Sequence, residues 1–205
     1  MFVMTMHHTE LPLTNEQQKA QIAYAKFLKN RSRLLSKILR HQPESVGITL
    51  DRQGYVAVDE LLSALQNSPF PMDRAVLDEV VAKNDKQRFS YSSDGQKIRA
   101  NQGHSVIVDL ELLPQTPPDV LYHGTAIQHL SSIWQMGLTA QSRHHVHLSC
   151  DVQTAIKVGK RHGKVAVLQV NANQMNTDGR VFYRSDNGVW LTECVPPCYL
   201  EQLVI

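Results

Sequence analysis

The chain has 205 residues, 42% of them hydrophobic and 20% charged, a balance that suits one large or two small folded domains and argues against a disordered chain. No stretch nears the roughly 18 uninterrupted apolar residues of a membrane span, and the opening MFVMTMHHTELPLTNEQQ has no basic region leading into an apolar run, so a soluble, cytoplasmic protein is expected. The net charge is only +2, yet positions 17–43 carry seven Lys or Arg (Lys19, Lys26, Lys29, Arg31, Arg33, Lys37, Arg40) and no acid, which fits either a solvated helix face or a surface that tracks phosphates.

In chain order, Ile22, Phe27, Leu28, Leu34, Leu35, Ile38 and Leu39 recur at helical spacings and predict a helix over 15–41, ended by Pro43 and Gly47. Shorter helices are predicted over 58–65 and 73–83, the second from a stripe of Val76, Leu77, Val80 and Val81. RFSY and QKIRA, separated by Ser92, Ser93, Asp94 and Gly95, predict a hairpin. Three helices and then a hairpin is the order of a winged-helix module, which commonly binds nucleic acid. LPQTPPD at 113–119 has three prolines in seven residues and is expected to be a linker. Beyond it LYHGT, VHLS, VAVLQVNA, VFYRS, GVWLT and CYLEQLVI are short runs rich in β-branched and aromatic residues, expected as strands, with helices around 127–136 and 152–161. The expected class is α+β: an unassigned extension at 1–18, a winged-helix lobe at 19–112, the linker, and a mostly β lobe at 120–205.

Familiar nucleotide loops are missing, because the ten glycines form no G-x-G and no G-K-S or G-K-T; neither a G-x-S-x-G elbow nor an H-E-x-x-H helix is present. Cys150, Cys194 and Cys198 are expected as reduced thiols. They form a Cys3His zinc set with His147 only on paper, since Pro196 and Pro197 separate two of them and no second close Cys/His pair exists. Six of ten histidines lie between His123 and His162, three of them in SRHHVHLS. Strand alternation places His145 and His147 on one face and His144 on the other. Without an accompanying carboxylate cluster, these histidines suit a polar ligand pocket better than a metal, so no metal is expected. Arg143 adds a fixed charge with a bidentate fork suited to phosphate. Arg40 and His41 close the first helix, where the dipole alone favours cations, and Arg88 begins the first hairpin strand. In isolation these residues decide nothing.

Taken together, LLSKILRHQPE, DRQGYVAVDELL, VVAKNDKQRFSY, IRANQGHS, LYHGT, SRHHVHLS, GKRHGK and NGVWLT resemble, in this order, the RNA 2'-phosphotransferase family (Tpt1/KptA). The resemblance runs from about residue 30 to residue 203 and leaves the first 18 outside it. It implies a winged-helix RNA lobe followed by a lobe of the ADP-ribosyltransferase fold, which needs no Rossmann glycine loop. It also implies two substrates, an RNA bearing a 2'-phosphate and NAD, and no protein partner. In the reaction the resemblance implies, the 2'-phosphate attacks the nicotinamide ribose of NAD and expels nicotinamide; the ribose 2''-hydroxyl then takes the phosphate, leaving 2'-OH RNA and ADP-ribose cyclic phosphate. The family's Arg-His-Arg-Arg tetrad falls on Arg40, His41, Arg88 and Arg143, the first three facing the RNA phosphate and Arg143 lying where the lobes meet. His123, Gly124, Thr125, His145, His147 and Ser149 are implied to line the NAD site, Gly124 by letting backbone approach the ligand. Two other functions remain compatible with these residues: ADP-ribosylation of another nucleic-acid phosphate or of protein, and NAD sensing by a non-catalytic RNA-binding protein.

Overall fold

The computed structural model describes residues 14–84 and 86–204. Helix α1 (Asn15–Arg40) opens on a reciprocal cap, in which the Thr14 hydroxyl accepts from the Gln17 N–H and the Gln17 side chain accepts from the Thr14 N–H. Residues 15–18, expected as part of an extension, are therefore its first turn, while His7 and His8 lie outside the described residues. Leu35, Ile38 and Leu39 are buried, but Ile22 is 71% exposed. The apolar stripe expected to include Ile22 makes core contacts only from Leu28 onward; among the described residues the turns before it, residues 15–26, are exposed.

Helices α2 (Val58–Leu65) and α3 (Arg74–Ala82) share a core with the buried end of α1. Asp73, expected inside the third helix, instead caps it by accepting from the Val76 N–H at 2.8 Å. Strands β1 (Val56–Ala57), β2 (Phe89–Tyr91) and β3 (Lys97–Ala100) form an antiparallel sheet in the order β1-β3-β2. Gly95, with φ at 70°, turns the hairpin in a conformation that suits glycine. These elements share one hydrophobic core drawn from residues 35–100.

A second core is drawn from residues 121–195. Around it run β4 (Val120–Ala126), α4 (Leu130–Met136), β5 (Leu138–Thr139), β6 (Val146–Leu148), α5 (Val152–Gly159), β7 (Val165–Asn171), α6 (Ala172–Thr177), β8 (Phe182–Arg184), β9 (Trp190–Thr192), β10 (Cys194–Val195) and β11 (Leu200–Leu203). They make two antiparallel three-stranded sheets, β11-β7-β4 and β6-β9-β8, with β10 and β5 paired apart. In β7 Ala166, Val167, Leu168 and Val170 are all buried, the nearly continuous apolar run of a strand covered on both faces. The two larger sheets meet where Tyr122 and Ser149 exchange backbone hydrogen bonds of 2.9 and 2.8 Å.

Strands β5 and β10 and helix α6 go beyond the expected elements, and the proline-rich segment is no loose connector. Pro114 bridges Tyr183, the Gln115 N–H donates to the Phe182 carbonyl at 2.8 Å, and Pro117 is buried. The halves are also joined by Arg99 and Asp186 at 3.3 Å and by the Asn187 amide donating to the Lys86 carbonyl at 2.8 Å. Residues 101–112 fold back along the first half, where the N–H groups of Ser105 and Asp109 donate to the carbonyls of Arg40 and Arg52 at 2.9 and 2.8 Å. The architecture is mixed helix and sheet, and among the described residues no helix is long and apolar enough to cross a membrane.

Candidate active site

Three parts of the chain deliver Arg40, His41, Arg88 and Arg143 to one place. Arg40 is the last residue of α1 and His41 its C-cap; Arg88 immediately precedes β2, and Arg143 sits in the turn before β6. Arg40 is half-buried, with Nε and Nη2 closed off from solvent and without a hydrogen-bond partner among the described residues. Burial, then the charges of Arg88 and Arg143, pull its pKa down to about 10. Burial lowers the His41 pKa as well, followed by the charges of Arg40 and Arg143. The chain thus gathers the four expected residues from both of its halves.

Neutral groups hold these arginines in place. Arg88 Nη1 donates to Asn84 Oδ1 at 2.9 Å, and the buried Asn84 amide donates in turn to Ser32 Oγ on α1 at 2.8 Å. Arg143 Nη1 donates to His147 Nδ1 at 3.3 Å. Among the described residues neither Arg40 nor Arg143 makes an ion pair. Like charges gathered without a carboxylate on these two repel one another, and a multiply charged anion with several acceptor oxygens would relieve that repulsion.

Beside the cluster lies a cleft of about 190 Å³ between the returning segment and the β6-β9-β8 sheet, lined by Gly103, His104, Val108, His145, His147 and Tyr183 among others. Gly103 has φ at 85°, and a Cβ there would stand 3.6 Å from Arg40 Nη1 and 3.8 Å from His147 Nε2. The glycine therefore keeps the space between guanidinium and imidazole open. His104 is 2% exposed, and both of its ring nitrogens are buried without a hydrogen-bond partner among the described residues. Burial, with Arg40 the nearest charge effect, pushes its pKa down to about 3. Burial and then Arg143 and Arg40 push His147 to about 3 as well, so both rings are neutral near pH 7.

The expected ligand-lining residues divide. His145 and His147 line the cleft, and His145 meets Tyr183 edge-on at 5.5 Å. His144, expected on the opposite face, lines the same cleft, because β6 begins only at Val146 and strand alternation does not reach back to it. His123 lies behind His147, its Nδ1–H donating to the His147 carbonyl at 3.1 Å; burial lowers its pKa. Gly124 and Thr125 are buried beneath α5. A Cβ on Gly124 would stand 1.7 Å from the Ala155 carbonyl oxygen, so helix packing, rather than an approaching ligand, is what demands glycine there. Ser149 is engaged through its backbone with Tyr122.

The sequence alone assigns no role to Gly103, His104, Ser105 or Asn84, although NQGHS and KNDKQRF contain them. They lie outside any periodic element, and the only local signal was a polar Gly-His-Ser run between a strand and an apolar segment. Cys150, Cys194 and Cys198 are free thiols, and no three His, Cys, Asp or Glu side chains among the described residues are placed to hold a metal ion.

The family described as RNA 2'-phosphotransferase, Tpt1 / KptA family, matches residues 28–194. Three curated relatives, each called a probable RNA 2'-phosphotransferase, are similar over nearly their whole lengths. The protein from Trichormus variabilis is 55% identical over 187 residues, 91% of this chain and 99% of its own. The one from Acaryochloris marina is 52% identical over 176 residues, 86% and 97% of the two chains. The one from Pseudomonas paraeruginosa is 47% identical over 178 residues, 86% and 98%.

Proposed function

Because the chain belongs to the RNA 2'-phosphotransferase, Tpt1 / KptA family, we propose that it removes an internal 2'-phosphate from RNA in a reaction that consumes NAD. On this reading the first half is a winged-helix RNA lobe and the second an ADP-ribosyltransferase-like lobe. The observation that carries the proposal is the convergence of Arg40, His41, Arg88 and Arg143, reflected in the charges of Arg88 and Arg143 acting on Arg40 and those of Arg40 and Arg143 acting on His41. A 2'-phosphate next to the chain's own phosphodiester is a dense anion, and forked guanidinium groups match its oxygens in a way that point charges do not.

The cleft suits part of a dinucleotide. Tyr183, Leu191 and His145 offer aromatic and apolar surface to a planar ring. Arg143 donates to His147 Nδ1, which leaves the His147 proton on Nε2, a buried nitrogen with no partner among the described residues and therefore a donor available to a ligand. NAD supplies a ribose carbon that the 2'-phosphate attacks as the bond to nicotinamide breaks, and a 2''-hydroxyl that takes the phosphorus as the bond to the RNA 2'-oxygen breaks. Arg40 and Arg88 hold the phosphate oxygens throughout. Charge redistributes over the phosphate oxygens as bonds at phosphorus form and break, and a preorganised cation there favours the transition state over the ground state. Arg143, fixed by His147, stands between the cleft and the phosphate and orients one substrate against the other.

The direct test is incubation of an RNA oligonucleotide carrying one internal 2'-phosphate, with and without NAD. Loss of the 2'-phosphate and release of nicotinamide are expected only when NAD is present. Dephosphorylation at the same rate without NAD would reject the proposal.

A further inference from the structure

A residue outside the arginine cluster contacts the ring of His41. His41 Nδ1 lies 2.9 Å from Ser105 Oγ, and the Ser105 backbone N–H donates to the Arg40 carbonyl at 2.9 Å. Ser105 Oγ also stands 3.5 Å from that same carbonyl. This oxygen is one of those that the end of a helix leaves without an intrahelical partner, and the returning segment meets it with Ser105 and with the Val106 N–H at 3.4 Å. Ser105 and the ring of His41 are thus both anchored to the final peptide of α1.

A hydroxyl can accept from an imidazole or donate to it, but it has one proton to place. If Nδ1–H donates to Ser105 Oγ, the hydroxyl proton remains free for the Arg40 carbonyl and a continuous chain forms, Nδ1–H to Oγ–H to O=C. If the hydroxyl donates to Nδ1 instead, its interaction with the carbonyl is lost. Chains of hydrogen bonds reinforce one another, so the first arrangement is favoured. It also survives protonation unchanged, because an imidazolium must donate from Nδ1.

We propose that Ser105 is a positioning residue that keeps the neutral His41 protonated on Nδ1 and presents Nε2 as the open nitrogen on the substrate side. The proposal deepens the phosphate-site reading and rests on it. Arg40 and Arg143 are the charges that bear on His41, and with burial they hold the ring neutral in the free protein. An arriving phosphate opposes those charges and raises the basicity of the ring. The incoming proton can enter only at Nε2, where it forms a charge-assisted hydrogen bond to the phosphate without rotation of the ring.

The test uses the full ¹⁵N-labelled chain near pH 7.5, with His41 signals assigned by comparison with His41→Ala. Long-range ¹H–¹⁵N correlations should show the parent protein in the Nδ1–H form. Ser105→Ala should move His41 toward the Nε2–H form that a free histidine side chain prefers, and Ser105→Thr should restore the parent pattern. With 2'-phosphorylated RNA, Ser105→Ala should lower kcat about tenfold, the worth of one hydrogen bond, with KM unchanged and recovery in Ser105→Thr. The melting temperature should hold, because Ser105 is exposed and the alanine variant keeps its backbone bond. An Nε2–H tautomer in the parent, or the same tautomer in parent and Ser105→Ala, would overturn the proposal whatever the turnover. Absence of turnover in a parent with the Nδ1–H tautomer would instead count against the assigned reaction.

Discussion

Replacing Gly124 with alanine separates packing from ligand binding at the one position where the two readings of the LYHGT segment diverge. The added Cβ would stand 1.7 Å from the Ala155 oxygen, 2.6 Å from its carbonyl carbon and 2.9 Å from the Gly159 nitrogen. These are backbone atoms of α5 and cannot swing aside as a flexible side chain would. An ordinary carbon to oxygen contact needs about 3.3 Å, so the helix would have to retreat by roughly 1.6 Å from the strand it covers. Gly159 faces the same seam from the other side, where a Cβ would meet the Thr125 carbonyl at 2.8 Å. Overpacking of this severity costs on the order of 3 kcal/mol. In a chain of this length that corresponds to a fall in melting temperature of roughly 6 to 12 °C. Thermal unfolding followed by circular dichroism without substrate is the assay. A variant that melts with the parent but shows a raised KM for NAD would refute the packing argument and return the glycine to the ligand.

Arg88→Ala should slow release of the RNA 2'-oxygen more than attack on NAD, by roughly 100- to 1000-fold for one preorganised charged donor, so that ADP-ribosylated RNA accumulates in a rapid-quench time course; slow product formation with no intermediate at any time would remove this division of labour. His104 is buried with a pKa near 3, whereas an unfolded histidine titrates near 6.5. The unfolded chain therefore binds more protons between these values, and stability should fall as pH drops below about 6.5, by about 1.4 kcal/mol per unit for one imidazole. Denaturant midpoints of the parent and His104→Phe should diverge over pH 7 to 5 in that direction, and parallel curves would contradict it. Arg31 stacks on Phe27 at 3.4 Å and donates to the Pro71 carbonyl at 3.1 Å, while Arg33 and Lys37 are exposed. Arg33→Ala should accordingly reduce the logarithmic salt dependence of RNA binding by about 0.7 and Arg31→Ala should leave it unchanged; equal slopes for the two variants would discount the basic face of α1.

The helical half is readable from sequence because its signals are local and agree with one another. Leu35, Ile38 and Leu39 mark the buried stripe of α1 and Pro43 and Gly47 follow its end, whereas the third helix starts one residue later than expected, with Asp73 as its cap. Ile22 misleads because periodicity shows which side of a helix is apolar but not whether anything covers it. The core strands β4 and β7 are legible from their apolar runs, whereas β5 and β10 have two residues each, too few for any alternation to register. The four clustered residues could be named through the resemblance but not from spacing, because Arg40 and Arg143 meet only when the two halves close. Gly103, His104 and Ser105 acquire meaning only from that closure. The need for Gly124 is set by Ala155, some thirty positions away in sequence, and no local pattern records such an encounter.

The fate of the phosphorus tests the proposed reaction most directly. RNA labelled with ³²P in a single internal 2'-phosphate, incubated with the full chain and NAD, should transfer the label to ADP-ribose cyclic phosphate and leave unlabelled 2'-OH RNA, a transfer that Arg40→Ala abolishes. Appearance of the label as inorganic phosphate, or its retention in RNA while nicotinamide is released to completion, would contradict the account.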